Sequence, residues 1–245
     1  MLVNADVKGL EVVTAAFLSG DETLKQEVRN GVDFHESNRA AFNLTDRLIA
    51  KRFMFKLIYG ATAWGFANDA DFDNVSTSER FWQNCIDNFY HKYSGLYKWH
   101  ISLMQNATAN GVYITPTGRR YTFDSKDVVK REWFWRPKVL NYPVQGFGAD
   151  LVMLARINLW EFLKHDPFPD TWKYVSSVHD SIVLDVSQER CYNIGMRMKN
   201  AIEAVPEAME WHFGVNFDLP LTCELKQGAN MFNMETMNVR NDHRD

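Results

Sequence analysis

The spacing of apolar residues along this chain alternates between a period typical of β-strands and one typical of α-helices. Short apolar segments rich in β-branched residues predict a strand at residues 2–7, a hairpin at 111–123, a strand pair at 173–186 and a last strand at 218–226. Intervals of three and four residues predict helices within residues 8–19, 22–30, 35–42, 46–59, 79–93, 94–109, 146–164 and 188–204. Because strands from distant parts of the chain must meet in one sheet, the pattern predicts an α+β fold.

Composition places the chain among ordinary globular proteins, with 245 residues and a net charge of −4. That length allows one large domain or two small ones. The acidic balance disfavours a generic nucleic-acid-binding protein, but not a polymerase, in which acids bind metal and cations cluster locally. One local cluster of cations is present, which taken alone is explained equally well as a solvated surface patch. Its members are Arg119, Arg120, Lys126, Lys130, Arg131, Arg136 and Lys138.

The three cysteines are far apart and lack the spacing of a metal site. Such usage is typical of a reducing compartment. No signal peptide and no apolar run long enough to span a membrane is apparent. We therefore expect a soluble, cytoplasmic protein without a membrane partner.

Two acids, Asp6 and Asp180, lie at or near the ends of predicted strands. A single Asp in such a position is usually a turn residue. A pair of carboxylates from two different strands can also bind two divalent ions about 3.5–4 Å apart, the arrangement used in phosphoryl transfer. The pair therefore suggests nucleotidyl transfer with Mg²⁺, which prefers a few carboxylates together with phosphates and water.

The predicted helix at 46–59 carries a stripe of cations and aromatic residues at every fourth position. Thr45 is its predicted N-cap and Gly60 its predicted stop. Cations near the N-terminus suit phosphate, and aromatic rings further along could stack on a sugar or base. An ordinary amphipathic helix with Phe55 and Tyr59 in the core explains the spacing as well. The stripe consists of Arg47, Lys51, Phe55 and Tyr59.

Several segments, in order, resemble the motifs of family A DNA polymerases, the DNA polymerase I type. Asp6-Val-Lys-Gly-Leu-Glu11 is similar to motif A, the helix from Arg47 to Gly60 to motif B, and Val178-His-Asp-Ser181 to motif C. Further similar segments are Asp33-Phe-His35, Gly118-Arg-Arg-Tyr121 and Asn141-Tyr-Pro-Val-Gln145. The resemblance covers roughly residues 2–230, and the number and order of the motifs make it specific.

The resemblance implies a role for each matching residue. Asp6 and Asp180 would bind two Mg²⁺ ions, with Mn²⁺ as an alternative, and Val7 would add its backbone carbonyl. Lys51 would bind the incoming phosphates and protonate the leaving pyrophosphate, and Glu11 would exclude a ribose 2′-hydroxyl. The implied dNTP-binding residues are Glu11, His35, Arg47, Lys51, Phe55 and Tyr59. The implied primer–template-binding residues are Asn141, Gln145, His179 and Arg120.

The implied fold is a polymerase palm, built on an antiparallel sheet, with helical fingers inserted. Residues 1–20 and 111–245 would form the palm, and residues 21–110 the fingers. The thumb and exonuclease domains are absent from the sequence, so we expect an upstream polypeptide or missing segment to supply them. The compact set of motifs is typical of phage or plasmid replication, which would place the protein in a bacterial host cytoplasm. Ser181 departs from the family pattern, in which a Glu usually follows the motif C Asp.

Two alternatives remain open at this stage. A single-subunit, phage-type RNA polymerase shares the palm and fingers, but such enzymes carry a small residue where this chain has Glu11. Alternatively, the chain is one half of a split polymerase that is inactive without a thumb-bearing partner.

Overall fold

The computed structural model of the protein describes residues 1–42 and 44–238. It divides into two compact units. The first unit comprises Met1–Leu10 and the chain from Gly148 onward, and the second comprises Glu11–Phe147. Within the described residues, no helix is both long and apolar enough to cross a lipid bilayer.

Strands and helices alternate in the irregular order expected of an α+β protein. The strands of the described residues are Leu2–Val7 (β1), Val112–Ile114 (β2), Arg120–Thr122 (β3), Trp172–Val178 (β4), Ser181–Val186 (β5), Cys223–Gly228 (β6) and Met234–Thr236 (β7). The α-helices are Leu10–Ser19 (α1), Glu22–Arg29 (α2), Phe34–Ala41 (α3), Arg47–Ile58 (α4), Ala63–Ala67 (α5), Glu79–Lys92 (α6), Ser94–Ala109 (α7), Ser125–Lys130 (α8), Glu132–Leu163 (α9), Cys191–Glu203 (α10) and Val205–Phe213 (α11).

The first unit is built on an antiparallel five-stranded sheet with the strand order β4-β5-β1-β6-β7. Val3 and Ala5 of β1 lie directly opposite Leu184 and Ile182 of β5, and all four side chains are buried. Since residues directly opposite each other in a sheet point to the same side, these residues define its apolar face. Helix α10 packs on β1 and β6. The alternate positions of β1, including Asp6, point to the other face.

A buried acid fastens the loop after α9 to α10 within this unit. The side chain of Asp166 is fully covered, and its two oxygens accept hydrogen bonds of 2.6 and 2.7 Å from Arg190. Arg197 forms a second ion pair with it at 3.2 Å, and the backbone N–H of Phe168 donates to it at 2.9 Å. The hydrogen bonds from Arg190 lower the pKa of Asp166 to about 2. The carboxylate therefore stays charged although it is covered.

The second unit has a core of stacked aromatic rings. Phe53 of α4 lies 5.8 Å from the ring of Trp82 in α6, and Phe66 of α5 lies 5.2 Å from the same ring. Phe72 and Phe89 complete this cluster. Aromatic pairs at such distances add to the stabilisation gained by burial. This core fixes the buried side of α4 and leaves the opposite side exposed.

Two helices of this unit share one capping carboxylate. Asp21 is buried, and its Oδ1 accepts the backbone N–H of Leu24 at the start of α2. Its Oδ2 accepts the N–H groups of Gly95 and Leu96 at the start of α7, at 2.7 and 3.1 Å. A Cβ at Gly95 would lie 2.8 Å from the Asp21 backbone, so the approach requires glycine. The acid satisfies donors that helix N-termini leave unpaired.

Most predicted elements are confirmed, and several boundaries were wrong. The N-cap of α4 is Asp46, which accepts the N–H of Ile49 at 2.9 Å, and not Thr45. Asp is as good a cap as Thr and stands one residue nearer the first turn. The predicted stop is confirmed, because Gly60 has a left-handed φ of +83° directly after the helix. Helices α5, α8 and α11 and strand β7 were not predicted.

The predicted start of the helix at 146–164 was wrong. Helix α9 begins at Glu132 and contains Pro137 and Pro143. Proline in a helix removes a hydrogen bond and clashes with the preceding turn, which made an earlier start look unfavourable. Val139, Leu140, Val144 and Phe147 are nevertheless buried along this part of the helix. Tertiary packing therefore outweighs the local preference.

The last strand, predicted at 218–226, begins at Cys223. Leu219 and Leu221 are buried, and apolar residues two positions apart are also the pattern of a half-buried strand. Pro220 lies between them and has no N–H to donate to a sheet.

Candidate functional site

Asp180 occupies the tip of the hairpin formed by β4 and β5. Val178 pairs directly with Ser181, so His179 and Asp180 form a two-residue loop. His179 has a φ of +53°, the only positive value among the described residues other than glycine. That conformation is uncommon for a residue with a Cβ, and such residues are concentrated at functional sites.

Asp6 lies on the neighbouring strand beside this loop. Its register partner in β5 is Ser181, the residue that follows Asp180. The N–H of Val7 donates a hydrogen bond of 3.0 Å to the carbonyl of Asp180. The sheet therefore brings Asp6, Val7 and Asp180 together, and a single hydrogen-bonded register fixes their backbones.

Two serines stabilise the hairpin that carries Asp180. The hydroxyl of Ser181 donates to the carbonyl of Val178 at 3.0 Å, and the hydroxyl of Ser177 donates to the carbonyl of Ser181 at 3.1 Å. Ser181 is the residue for which the sequence resemblance implied a Glu. In this chain its side chain is used to close the loop.

A third acid, Glu224, lies directly opposite Asp6 on β6. Both of its carboxylate oxygens are engaged, one by Lys226 at 2.9 Å and the other by the hydroxyl of Thr236 at 3.1 Å. The hydrogen bond to Glu224 raises the pKa of Lys226, and the charge of Asp6 adds to this effect. Glu224 therefore holds a cation near Asp6.

The donor set suits a divalent cation that takes few protein ligands. No group of three or more His, Cys, Asp and Glu side chains with metal-binding geometry exists in residues 1–42 and 44–238. Mg²⁺ is commonly bound through one or two carboxylates, with water and substrate phosphates filling the remaining positions. Asp6 and Asp180, each half-buried where β1 ends beside the β4–β5 loop, fit that pattern.

The cation–aromatic stripe of α4 lies on the surface side of its helix within the second unit. Arg47 and Lys51 are exposed, whereas Phe55 and Tyr59 are half-buried. The buried side of the same helix consists of Ile49, Ala50, Phe53, Met54, Leu57 and Ile58. The alternative that Phe55 and Tyr59 are ordinary core residues is therefore disfavoured.

Four of the predicted dNTP-binding residues form one group on α3 and α4. The ring centroids of His35 and Phe55 are 5.7 Å apart in an edge-on arrangement. The ammonium of Lys51 lies 5.7 Å from the Phe55 centroid, a cation–π distance. Burial, followed by the charges of Arg47 and Lys51, lowers the pKa of His35. Neutral His35 would therefore contribute a hydrogen bond to a phosphate, while the charge comes from the two cations.

Asp33 organises this group, although it was not predicted as a site residue. Its Oδ1 caps α3 by accepting the N–H groups of His35 and Glu36 at 3.0 and 3.1 Å. Its Oδ2 accepts a 2.9 Å hydrogen bond from Nε of Arg47. Burial opposes ionisation, but the bond from Arg47 and the backbone bonds outweigh it and lower the pKa of Asp33. The capping pattern of an Asp before a helix was the sequence signal that could have identified it.

Tyr59 and Gln145 form a second group within this unit. The side-chain amide of Gln145 donates a hydrogen bond to the hydroxyl oxygen of Tyr59. Burial raises the pKa of Tyr59, and the negative charge of Glu11 raises it further. The residue after Gln145 is Gly146, where a Cβ would overlap the hydroxyl of Tyr121. A hydrogen bond therefore joins Tyr59 to Gln145, two residues that the sequence assigned to different motifs, and the charge of Glu11 acts on the same hydroxyl.

The other predicted DNA-binding residues of this unit are placed separately. The side-chain oxygen of Asn141 is buried, and no hydrogen-bond partner for it is found among the described residues. Arg120 is exposed on the β2–β3 hairpin, opposite Ile114. An unpaired buried amide oxygen is costly, so Asn141 has hydrogen-bonding capacity to offer a ligand.

Comparison with known proteins identifies similar sequences along almost the whole chain. A family model described as DNA polymerase family A matches residues 1–233. A DNA polymerase I of Lactococcus lactis subsp. lactis is 29% identical over 223 residues, which cover 86% of this chain and 24% of the relative. A thermostable DNA polymerase I of Thermus filiformis is 30% identical over 239 residues, covering 93% of this chain and 26% of the relative. The chain thus spans about a quarter of the length of these curated relatives.

Among solved structures, the POL domain of Pol1 from M. smegmatis, in complex with DNA primer-template and dNTP, is similar in fold. The TM-score is 0.77 at 21% sequence identity, and the match covers 93% of this chain and 39% of that chain.

Proposed function

Because the chain belongs to DNA polymerase family A, we propose that it catalyses template-directed DNA synthesis, transferring nucleotides from dNTPs to a primer 3′-hydroxyl. The observation that carries the proposal is the register of β1 and β5, which brings Asp6 and Val7 beside Asp180 at one end of these two strands. Two carboxylates on adjoining backbone segments are what a metal-dependent nucleotidyl transfer requires. Members of this family generally use divalent metal ions.

In this proposal Asp6 and Asp180 hold two Mg²⁺ ions, with Mn²⁺ as an alternative, and the carbonyl of Val7 completes the ligand set. Bound there, the ions would stabilise charge on the attacking and leaving oxygens. Glu224 is not counted among the ligands, because the described residues contain no three-acid metal group and Lys226 and Thr236 already bond to its two oxygens. His179, presented by the strained loop, steadies the primer terminus.

The α4 stripe serves the incoming nucleotide. Arg47 and Lys51 bind the triphosphate as cations, and neutral His35 donates a hydrogen bond to it. Lys51 also transfers a proton to the leaving pyrophosphate. Phe55 packs on the sugar, and Tyr59 stacks near the template base. The ion pair between Arg47 and Asp33 supports this assignment, since it holds the guanidinium ready for phosphate.

Asn141, Gln145 and Arg120 contact the primer–template in this proposal. Asn141 and Gln145 can read minor-groove acceptors, which are similar in all correct base pairs. The hydrogen bond from Gln145 to Tyr59 supports a link between primer–template binding and nucleotide binding. Tyr59 would give up its bond to Gln145 when it stacks near a template base.

Residues 1–20 and 111–245 are proposed to act as the palm and residues 21–110 as the fingers. The chain spans about a quarter of the length of these relatives, and we propose that an upstream polypeptide or segment carrying a thumb and an exonuclease supplies grip on the duplex and proofreading. Without it we expect extension to be distributive.

Primer extension tests the proposal directly. The purified chain, a labelled primer–template, dNTPs and Mg²⁺ should give products longer than the primer, and EDTA should stop their formation. NTPs in place of dNTPs should give little product. Preferential use of NTPs would instead favour an RNA polymerase, and failure with every nucleotide and with the thumb-bearing polypeptide present would refute the proposed activity.

Replacing Glu11 with Ala should increase ribonucleotide incorporation relative to deoxyribonucleotide incorporation by about tenfold or more. Removing the side chain would open space beside C2′, so the penalty against a 2′-hydroxyl would fall by more than about 1.4 kcal/mol. The ratio of kcat/KM for NTP and dNTP measures this effect. Glu22→Ala, on the exposed start of α2, is the matched control and should leave the ratio unchanged. An unchanged ratio in Glu11→Ala would contradict its assignment as a steric gate.

A further inference from the structure

A basic and aromatic segment, residues 119–138, has no role in the function proposed above apart from Arg120. It contains seven Lys or Arg residues and three Asp or Glu residues, whereas the whole chain has a net charge of −4. Three consecutive aromatic residues, Trp133, Phe134 and Trp135, lie among these cations. The segment covers β3, α8 and the first residues of α9.

One side of the segment is fixed to the core of its unit. Trp135 packs against a cluster that includes Phe123, Val128 and Val139. Its indole N–H donates a 2.8 Å hydrogen bond to Asp127, which also pairs with Arg131. The start of α9 is therefore held rigidly against α8.

The opposite side presents Trp133 to solvent. Two residues along a helix turn the side chain by about 200°, so anchoring Trp135 directs Trp133 outward. Trp133 is 79% exposed, and the side chain of Val129 is exposed as well. A large, rigid indole in that position is costly to leave in water, and on a fixed helix it is already ordered for a ligand.

The cations beside Trp133 are organised by its neighbour Phe134. The ammonium of Lys138 lies 3.3 Å from the Phe134 ring centroid, and the guanidinium of Arg131 lies 5.0 Å from it. Lys126 and Lys130 are exposed on α8. The segment thus combines one exposed, stackable ring with several positive charges, of which Arg131 and Lys138 lie at the neighbouring ring of Phe134.

We propose that Trp133 and the cations around it, with Lys126 and Lys130 on α8, form a binding surface for a single strand of nucleic acid. An unpaired base would stack on the indole, and the cations would contact flanking phosphates. Stacking on an aromatic side chain does not depend on base identity, and it needs the unpaired bases that a duplex does not offer. The positive charge favours a polyanion over an apolar protein surface, which would bury a broader apolar patch.

The chain supplies a matched control in Trp211. It is 84% exposed and also lies on a helix, α11. That helix contains Glu207 and Glu210 and neither Lys nor Arg. Trp211 therefore offers the same ring in an acidic setting, where phosphates are repelled.

Fluorescence anisotropy with a labelled, mixed-sequence DNA single strand of about 16 nucleotides tests the surface. Trp133→Ala should weaken binding by the full chain about tenfold, while Trp133→Phe, which keeps a stackable ring, should lose about threefold or less. Trp211→Ala should bind as the wild type does. Equal affinity of Trp133→Ala, Trp211→Ala and wild type would overturn the proposal.

The charges are tested by salt dependence. Lys126→Gln with Lys130→Gln should reduce the slope of log K against log salt by about 1.4, since each phosphate contact on a single strand contributes about 0.7. Trp133→Ala should leave that slope unchanged. A slope unaffected by the double substitution, or displacement of DNA by polyglutamate of equal charge, would overturn the assignment to nucleic acid.

This inference concerns binding and does not rest on the polymerase reaction. If the chain fails to extend primers yet binds single strands through Trp133, the proposed activity is refuted and the binding surface stands. If the chain extends primers and Trp133→Ala binds single strands as the wild type does, the binding surface is refuted and the proposed activity stands. Thermal unfolding of each variant is measured alongside, and the exposed position of Trp133 predicts an unchanged midpoint.

Discussion

Replacing Asp180 with Asn is expected to reduce the rate of primer extension by at least about a thousandfold. Metal-based stabilisation of transition-state charge is worth several kcal/mol, and each 1.4 kcal/mol is about one factor of ten in rate. Asn keeps the shape of the hairpin tip but removes the charge that binds the cation. Asp6→Asn should have an effect of the same size, because the register of β1 and β5 makes the two acids one site.

The experiment needs a control in the same hairpin and a readout other than activity. Asp185 lies on β5 with an exposed side chain, so Asp185→Asn should retain wild-type activity. Electron paramagnetic resonance of Mn²⁺ measures binding directly, and Asp180→Asn should lose the affinity that Asp185→Asn retains. Wild-type extension by Asp180→Asn, with circular dichroism showing the same fold, would refute the metal assignment.

The strands that carry the two acids were predictable because their signals are local. The apolar segments at 2–7 and 173–186 predicted β1 and the β4–β5 hairpin, and both are confirmed. The pairing of β1 with β5 was not readable from either segment. It depends on which long-range register buries Val3, Ala5, Ile182 and Leu184 together.

The polar contacts that organise the site were the least predictable. Asp33 joins His35 to Arg47, and Glu224 holds Lys226 near Asp6, yet neither acid was assigned a role from the sequence. Such contacts depend on side chains brought together by tertiary structure, which leaves no periodic signal. The helix boundary at Glu132 was missed for a related reason, since buried contacts made Pro137 and Pro143 tolerable.

The arrangement around Asp6 shows how this chain adjusts the charge of its candidate metal site. Residue 181 is an uncharged Ser where the resemblance to motif C implied a second acid. Glu224 lies opposite Asp6, but its bond to Lys226 makes the pair neutral overall. Ser181 and the Glu224–Lys226 pair therefore add no net negative charge beside Asp6 and Asp180, the two residues proposed to bind cations.

The largest effect on stability is expected from Asp166. Asp166→Ala should lower the free energy of unfolding at pH 7 by about 3–5 kcal/mol, because it leaves the partners of a covered ion pair without a counter-charge. Arg190 would lose both hydrogen bonds to the carboxylate, and Arg197 its ion pair. Urea denaturation followed by tryptophan fluorescence measures the change. Asp170→Asn, on an exposed residue four positions later, should change stability by less than about 0.5 kcal/mol.

The pH dependence of this difference identifies its cause. The hydrogen bonds from Arg190 hold the pKa of Asp166 at about 2, whereas an Asp in the unfolded chain titrates near 3.9. Between these values the unfolded state binds more protons, so the stabilisation is complete above about pH 4 and is lost as the pH falls towards 2. The difference in the free energy of unfolding between wild type and Asp166→Asn should therefore become smaller as the pH falls from about 4 to about 2. If this difference in the free energy of unfolding stays constant from pH 5 to about pH 2, packing and not the charge of Asp166 joins this loop to α10.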